Sequence, residues 1–410
     1  MNKSSRLNRT LTAMICLVFL WPLVLSLVNY YFVRVLSGNI LCALYYVCLI
    51  MVYICYGGFQ IKLSRDIGFM LFFLMAYGII SFLSGEYVLL YNFIFALPIY
   101  LFCTKHLEIE DSIYKRLFLS ITSVSVLVTI ALTMVTLAQY PGAARVLASN
   151  SFANYGRELY RRMGCGGFDF IYSLVILVPV GLAACVKLKG FYKIIVAIAT
   201  AGCIITILLS GYTTAILLLF LACTLFLCTI NRGTLILTIV LSPLLIWLFI
   251  NFRDEIANQV YAIAEMFSSK AVKDHLIELA DIIAQKADVE DLNRVDLYTK
   301  SVEAFLMNPI VGSYSVNGAS AVSGHSTILD LLGGGGLVCF MPYIGFLATW
   351  HTRIARMLRD RWTKIGWNIS SILYLALQLV NPIFANYLII FVYMSFAVAI
   401  LKACDLKPAT

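Results

Sequence analysis

Apolar runs of about twenty residues recur along nearly the whole of this chain, and that property excludes most folds. A helix crossing a bilayer needs about 20 mostly apolar residues, because every backbone N–H and C=O must find its partner inside the segment once water is gone. The roughly ten-residue alternation that marks a lipid-facing barrel strand is absent. A large soluble core is excluded as well. Of 410 residues, 61% are hydrophobic and only 12% charged, which leaves too little polar surface to cover such an interior. The expectation is an all-α, polytopic membrane helix bundle of about twelve transmembrane helices. The spans fall near residues 11–33, 40–56, 67–83, 87–103, 117–137, 169–186, 194–210, 212–230, 233–251, 326–350, 365–381 and 383–401. Lys3, Arg6 and Arg9 ahead of the first run resemble the front of a signal peptide. The run is too long for that role and no small-residue cleavage site follows it, so the first span is expected to stay.

Orientation follows from the loops. With the N-terminus in the cytoplasm, 19 of the 30 Lys and Arg residues fall on short cytoplasmic segments, as the positive-inside rule requires. Both termini are then cytoplasmic, and the two long loops, near 138–168 and 252–325, face outward. The chain divides into residues 1–251 (nine spans with the basic loop), 252–325 (the large extracytoplasmic loop) and 326–410 (three spans and the tail). The net charge of +9 is mostly membrane-surface anchoring, and nothing points to nucleic acid. Eleven of the twelve cysteines lie in or at the ends of spans, where Cys behaves as a small hydrophobe; only Cys165 is in an outward loop. No CxxC pair, no His/Cys zinc spacing and no nucleotide-cofactor motif is present, so neither a metal nor a cofactor is expected.

The first outward loop carries Arg145, Arg157, Arg161 and Arg162 and no lysine, on the side that normally lacks positive charge. Arginine suits phosphate or carboxylate gripped by two parallel hydrogen bonds, so the cluster is a candidate anion site; a solvated loop with Glu158 as partner is the plainer alternative. The second loop has 74 residues and 11 carboxylates against 6 basic residues. Helical spacing over 256–285 indicates amphipathic helices docked on the bundle. A further helical run, from Val295 to Met307, ends at Asn308-Pro309, and Gly312 completes a turn.

The loop re-enters the apolar region through Ser323-Gly324-His325-Ser326-Thr327-Ile328-Leu329-Asp330. Ser326 or Thr327 is placed to cap the tenth span, with His325 just outside the helix N-terminus. A neutral imidazole there can accept a proton from a hydroxyl as a general base, or merely anchor the helix end. Asp330, about one turn inside, costs up to ~3 kcal/mol as an ionised group in lipid. It should face the bundle interior and find a partner, with Arg294 or a first-loop arginine as candidates. Gly333–Gly336 removes side chains for a whole turn and lets another helix, or a lipid chain, approach. Asn381 and Asn386, flanking Pro382, read as a turn.

Arg294, then Ala304-Phe305 and Asn308-Pro309-Ile310-Val311-Gly312, then Gly324-His325-Ser326-Thr327-Ile328-Leu329-Asp330-Leu331-Leu332, resemble the core of the O-antigen polymerase/ligase superfamily. The likeness covers about 40 residues. It implies a GT-C-like, metal-independent glycosyltransferase acting on undecaprenyl-diphosphate-linked glycans at the outer face of the bacterial plasma (inner) membrane. Arg157, Arg161, Arg162 and Arg294 become candidate diphosphate ligands, and His325 with Asp330 the candidate catalytic pair. Membrane lipids, a flippase and a chain-length regulator are the implied partners. Many members carry Ser-Arg where this chain has Ser210-Gly211-Tyr212, so that charge must come from elsewhere. Val322-Ser323-Gly324-His325-Ser326 is closer to polymerases than to the His-x-Gly-His-Asn of ligases, which leaves an O-antigen ligase as the runner-up. A flippase fits the hydrophobicity but not the long polar loop, and no internal repeat supports one.

Overall fold

The computed structural model describes residues 11–405 apart from 13, 16–20, 57–63, 86, 149–153, 231–232, 234–250, 385 and all but four of 267–289. Every described element is helical. Among the described residues, seven helices are long and apolar enough to cross a membrane: Arg65–Leu83, Ser112–Gln139, Phe168–Lys187, Gly190–Leu209, Thr213–Ile230, Thr327–Met357 and Tyr387–Asp405. Tyr87–Glu108 and Arg361–Val380 stand where the fourth and eleventh spans were expected. Ser26–Cys55 is one helix across the expected boundary between the first two spans. The expected ninth span lies almost wholly outside the described residues, as do Lys3, Arg6 and Arg9. Of the amphipathic stretch 256–285, Arg253–Glu265 is helical, and most of the remainder is outside the described residues.

Local chemistry sets the helix limits. Asp111 begins one helix by accepting from the backbone N–H groups of Ile113 (2.7 Å) and Tyr114 (3.2 Å). Asp360 does the same for Trp362 and Thr363, and Asn386 for Ile389. These side chains occupy donors that a helix start leaves without intrahelical partners. Pro309 and Pro382 follow closely on Met307 and Val380, where a ring without an N–H cannot continue the ladder.

Phe168–Lys187 and Tyr387–Asp405 form the centre: 72% of each apolar stretch is buried, against 22% for Gly190–Leu209 at the periphery. Around them an aromatic column stacks Trp367, Tyr393 and Tyr374, with ring centroids 4.9 and 4.0 Å apart. Tyr393 sits in the π-helical turn Val392–Phe396 of the last helix. Outward from this centre, Phe69, Phe72, Met75, Ile79 and Phe82 make the Arg65–Leu83 helix apolar on its exposed side.

The bundle has two distinct ends. At one, which we call the basic end, Arg353 pairs with Asp66 (2.6 Å), Lys187 with Asp360 (2.7 Å) and Lys105 with Glu108 (3.7 Å). Asp405 there accepts from the backbone N–H groups of Arg359 and Asp360. At the opposite, loop end lie the starts of Phe168–Lys187, Thr327–Met357 and Tyr387–Asp405, with the short helices Ala143–Ala148 and Asn154–Arg162.

The Thr327–Met357 helix is broken at Gly336, whose φ of 59° and ψ of −167° only glycine adopts at little cost. The turn after Glu290–Met307 fits into the break. Leu337 N–H donates to the Pro309 carbonyl (2.9 Å) and Val338 N–H to that of Ile310 (3.1 Å). A Cβ on Gly333 would meet the Ser301 carbonyl at 2.3 Å. The glycine run therefore admits a neighbouring helix of the same chain, one of the two expected occupants.

Candidate functional site

Ser326 is the N-cap of the Thr327–Met357 helix, accepting from Leu329 N–H at 3.2 Å. His325 stands just outside that cap and is exposed, its backbone N–H donating to Ser323 Oγ (3.1 Å). The loop holds this shape through Asp330. Ser301 and Ser323 donate their hydroxyls to Oδ1 at 2.8 and 2.7 Å, and Ser326 N–H reaches Oδ2 at 3.1 Å. Ser301 Oγ in turn accepts from Ser323 N–H at 2.9 Å. Asp330 is only 6% exposed and faces the interior, as its cost in lipid demands. Its partners among the described residues are hydroxyls and a backbone amide; the side chain of Arg294, one of the partners expected from the sequence, lies outside them. Each hydrogen bond to a charged acceptor contributes about 1.5–3 kcal/mol, so the carboxylate fixes the loop ahead of the helix.

The loop is also tied sideways. Thr327 Oγ1 donates to the Asn381 carbonyl (3.1 Å) and accepts from the N–H groups of Ile383 (2.7 Å) and Phe384 (3.1 Å). A few residues on, Asn386 donates its side-chain amide to Asp169 Oδ1. Asp169 lies in the first turn of Phe168–Lys187, within electrostatic reach of Arg161. The segment from Asn381 to Asn386, which reads in the sequence as a turn, thus bridges the Gly-His-Ser loop to the arginine loop.

Arg157, Arg161 and Arg162 share the short helix Asn154–Arg162. Arg161 and Arg162 are exposed. Arg157 is half-buried, and its Nε is enclosed without a hydrogen-bond partner, an unusual state for a guanidinium donor. Glu158 on the same helix accepts from Tyr30 (2.7 Å) and pairs with Arg34 (3.3 Å), so the expected local counter-ion is engaged by another helix. Arg294 falls in the helix Glu290–Met307; its side chain lies outside the described residues. Among the described residues, no hydrogen bond or ion pair joins His325 to Arg157, Arg161 or Arg162. They share one end of the bundle, through the Asn381–Asn386 bridge.

Sequence reasoning placed Asn381 and Asn386 near the outer surface as a turn but missed their bridging contacts, and it gave Tyr212 no role at this end. Polar asparagines around a proline between two apolar runs were the available signal. Tyr212 donates its hydroxyl to the Ala144 carbonyl (2.7 Å), closing the arginine loop onto the bundle.

The helices and their polar end define a class, a helical bundle suited to a membrane with a polar site at one end. No protein-family model and no curated protein sequence matches the chain.

Proposed function

We propose that this protein is a polysaccharide polymerase, joining undecaprenyl-diphosphate-linked repeat units at the outer face of the bacterial plasma membrane. In this reading the bundle is GT-C-like with twelve spans, both termini are cytoplasmic, and the loop end faces outward. The observation that carries it is the Asn381–Asn386 bridge, which ties the Gly-His-Ser loop to Asp169, within electrostatic reach of Arg161, at the loop end of the bundle. An exposed histidine beside a helix start, together with an arginine whose Nε lacks a partner, supplies a proton acceptor and an anion grip.

The acceptor sugar hydroxyl attacks the anomeric carbon of the donor unit and gives its proton to the His325 ring. The bond from that carbon to the diphosphate oxygen breaks, and undecaprenyl diphosphate leaves with the electron pair. Arg157, Arg161, Arg162 and Arg294 stabilise its charge. Diphosphate is a good leaving group, so anion stabilisation, one base and the positioning of two lipid-linked chains suffice. Asp330 acts through the loop it holds and is a positioning residue here.

The test replaces His325 by Ala and, separately, Arg161 by Ala in the native host, with surface polysaccharide resolved on a gel. Single repeat units on the lipid core are expected. Full-length chains at normal abundance in both variants overturn the proposal, and polymer retained on the lipid carrier identifies a ligase instead.

A further inference from the structure

The large loop between Phe252 and His325 does not keep to one side of the bundle. Ser301, in the helix Glu290–Met307, lies against Asp330 and Gly333. Nine residues later, the Ile310 carbonyl lies against Gly336 and Val338. The chain therefore descends alongside the Thr327–Met357 helix and then returns. Ser313 N–H donates to the Gly333 carbonyl (3.0 Å), and Ser323 is again beside Ser301 and Asp330. At 1.5 Å per residue, Gly336 stands about 14 Å below Thr327. A second marker agrees: Tyr314 on the return limb meets the Tyr77 ring at 6.4 Å, about 9 Å from the loop end of Arg65–Leu83.

At the lowest point the segment exposes apolar side chains. Leu306 is 70% exposed, Met307 77% and Ile310 66%. They continue the exposed apolar surface that Leu337 and Met341 present on the neighbouring helix. Several of its polar groups there find partners within the protein: Asn308 donates to Ser313 Oγ, its carbonyl accepts from Gly312 N–H, and the Pro309 and Ile310 carbonyls cap the broken helix. Backbone outside a regular helix is tolerated at membrane depth only where such partners exist. Exposed Glu303, one turn nearer the loop end, marks where the polar face resumes.

From this geometry we infer that residues 306–311 form a re-entrant wedge whose apolar tip is immersed in the acyl chains of one leaflet, on the side of the loop end. The inference rests on the reading that Thr327–Met357 crosses a membrane. It places the Gly-His-Ser loop directly above a lipid-anchored element, so that its height is set by the bilayer.

The test is lipid-phase quenching in proteoliposomes of the purified full chain. Met307→Cys, Ile310→Cys, Met341→Cys and Ser320→Cys are each labelled with a thiol-reactive bimane, with the parent labelled in parallel as background. Lipids brominated on their acyl chains are expected to quench positions 307 and 310 as strongly as 341, and to leave 320 unquenched. Quenching at 341 but not at 307 and 310 overturns the wedge, whether water or a second copy covers it. No quenching at 341 overturns the membrane reading on which it stands.

Discussion

The two ends of the bundle treat charge in opposite ways. At the basic end, Arg353, Lys187 and Lys105 each meet a carboxylate, and Asp405 closes onto backbone amides. At the loop end, the carboxylate of Asp330 is taken up by serines, Glu158 is drawn to Tyr30 and Arg34, and the Arg157 Nε is left without a partner. The basic end uses Arg353–Asp66 and Lys187–Asp360 to join its elements; the loop end joins helices through Arg34–Glu158 but leaves the Arg157 Nε without a partner. Positive charge left unsatisfied beside a rigid loop is what an anionic ligand requires, whereas paired charge contributes only to the fold.

Replacing basic residues at each end, two at the loop end and one at the basic end, should separate these roles. The largest effect is expected at the loop end. His325→Ala should cut polymer formation by ~10²–10⁴-fold, the usual range for loss of a general base. Arg161→Gln should do so by ~10²-fold, as for loss of one anion-stabilising donor. Neither should move the melting temperature in detergent, because neither side chain is buried. Arg353→Met at the basic end should do the reverse. It strands Asp66, only 4% exposed, and should cost about 3 kcal/mol of stability, with the polymer made at permissive temperature unchanged. A fall in melting temperature for Arg161→Gln, or a loss of polymer for Arg353→Met at full stability, would break the comparison.

Asp330 is a loop-end charge used structurally, and so it sharpens the contrast. Asp330→Asn places an amide donor against the Ser326 N–H or the serine hydroxyls. Losing one charged hydrogen bond costs ~1.5–3 kcal/mol, and stability and polymer yield should fall together. Ser301→Ala should shift both in the same direction by less. Lost polymer with unchanged melting in Asp330→Asn would instead put the carboxylate on the substrate.

The helical class and the cap at Ser326 were legible because both are local: an apolar run and a serine before it are visible within one window. The inward-facing Asp330 was legible from the cost of a charge in lipid, but its partner was not, since Ser301 lies 29 residues away and resembles any other helical serine. The glycine run announced a close approach without naming what approaches. Asn381 and Asn386 were least legible. Their bridging roles rest on contacts made across the fold, Asn381 with Thr327 and Asn386 with Asp169, and a proline between them offered the sufficient explanation of a turn.

The smallest effect belongs to the basic end and is read through pH. Burial pushes the Asp360 carboxyl up, but the Lys187 ammonium and the N–H groups of Trp362 and Thr363 outweigh it and hold Asp360 below the ordinary carboxylate range. A carboxyl depressed in the folded state is protonated first in the unfolded chain as acid is added. Its contribution is therefore complete above the unfolded value of about 4 and is lost as pH falls through the lower folded value. Asp360→Asn should melt below the parent near pH 7, by the same margin up to about pH 8, and the gap should close as pH falls below about 4. Arg161→Gln, measured alongside, should show no gap at any of these values. A constant Asp360→Asn gap across the acid range would mean that the joint with Lys187 and the Asp405 loop is held by packing, and the basic end would lose its claim to be built on paired charge.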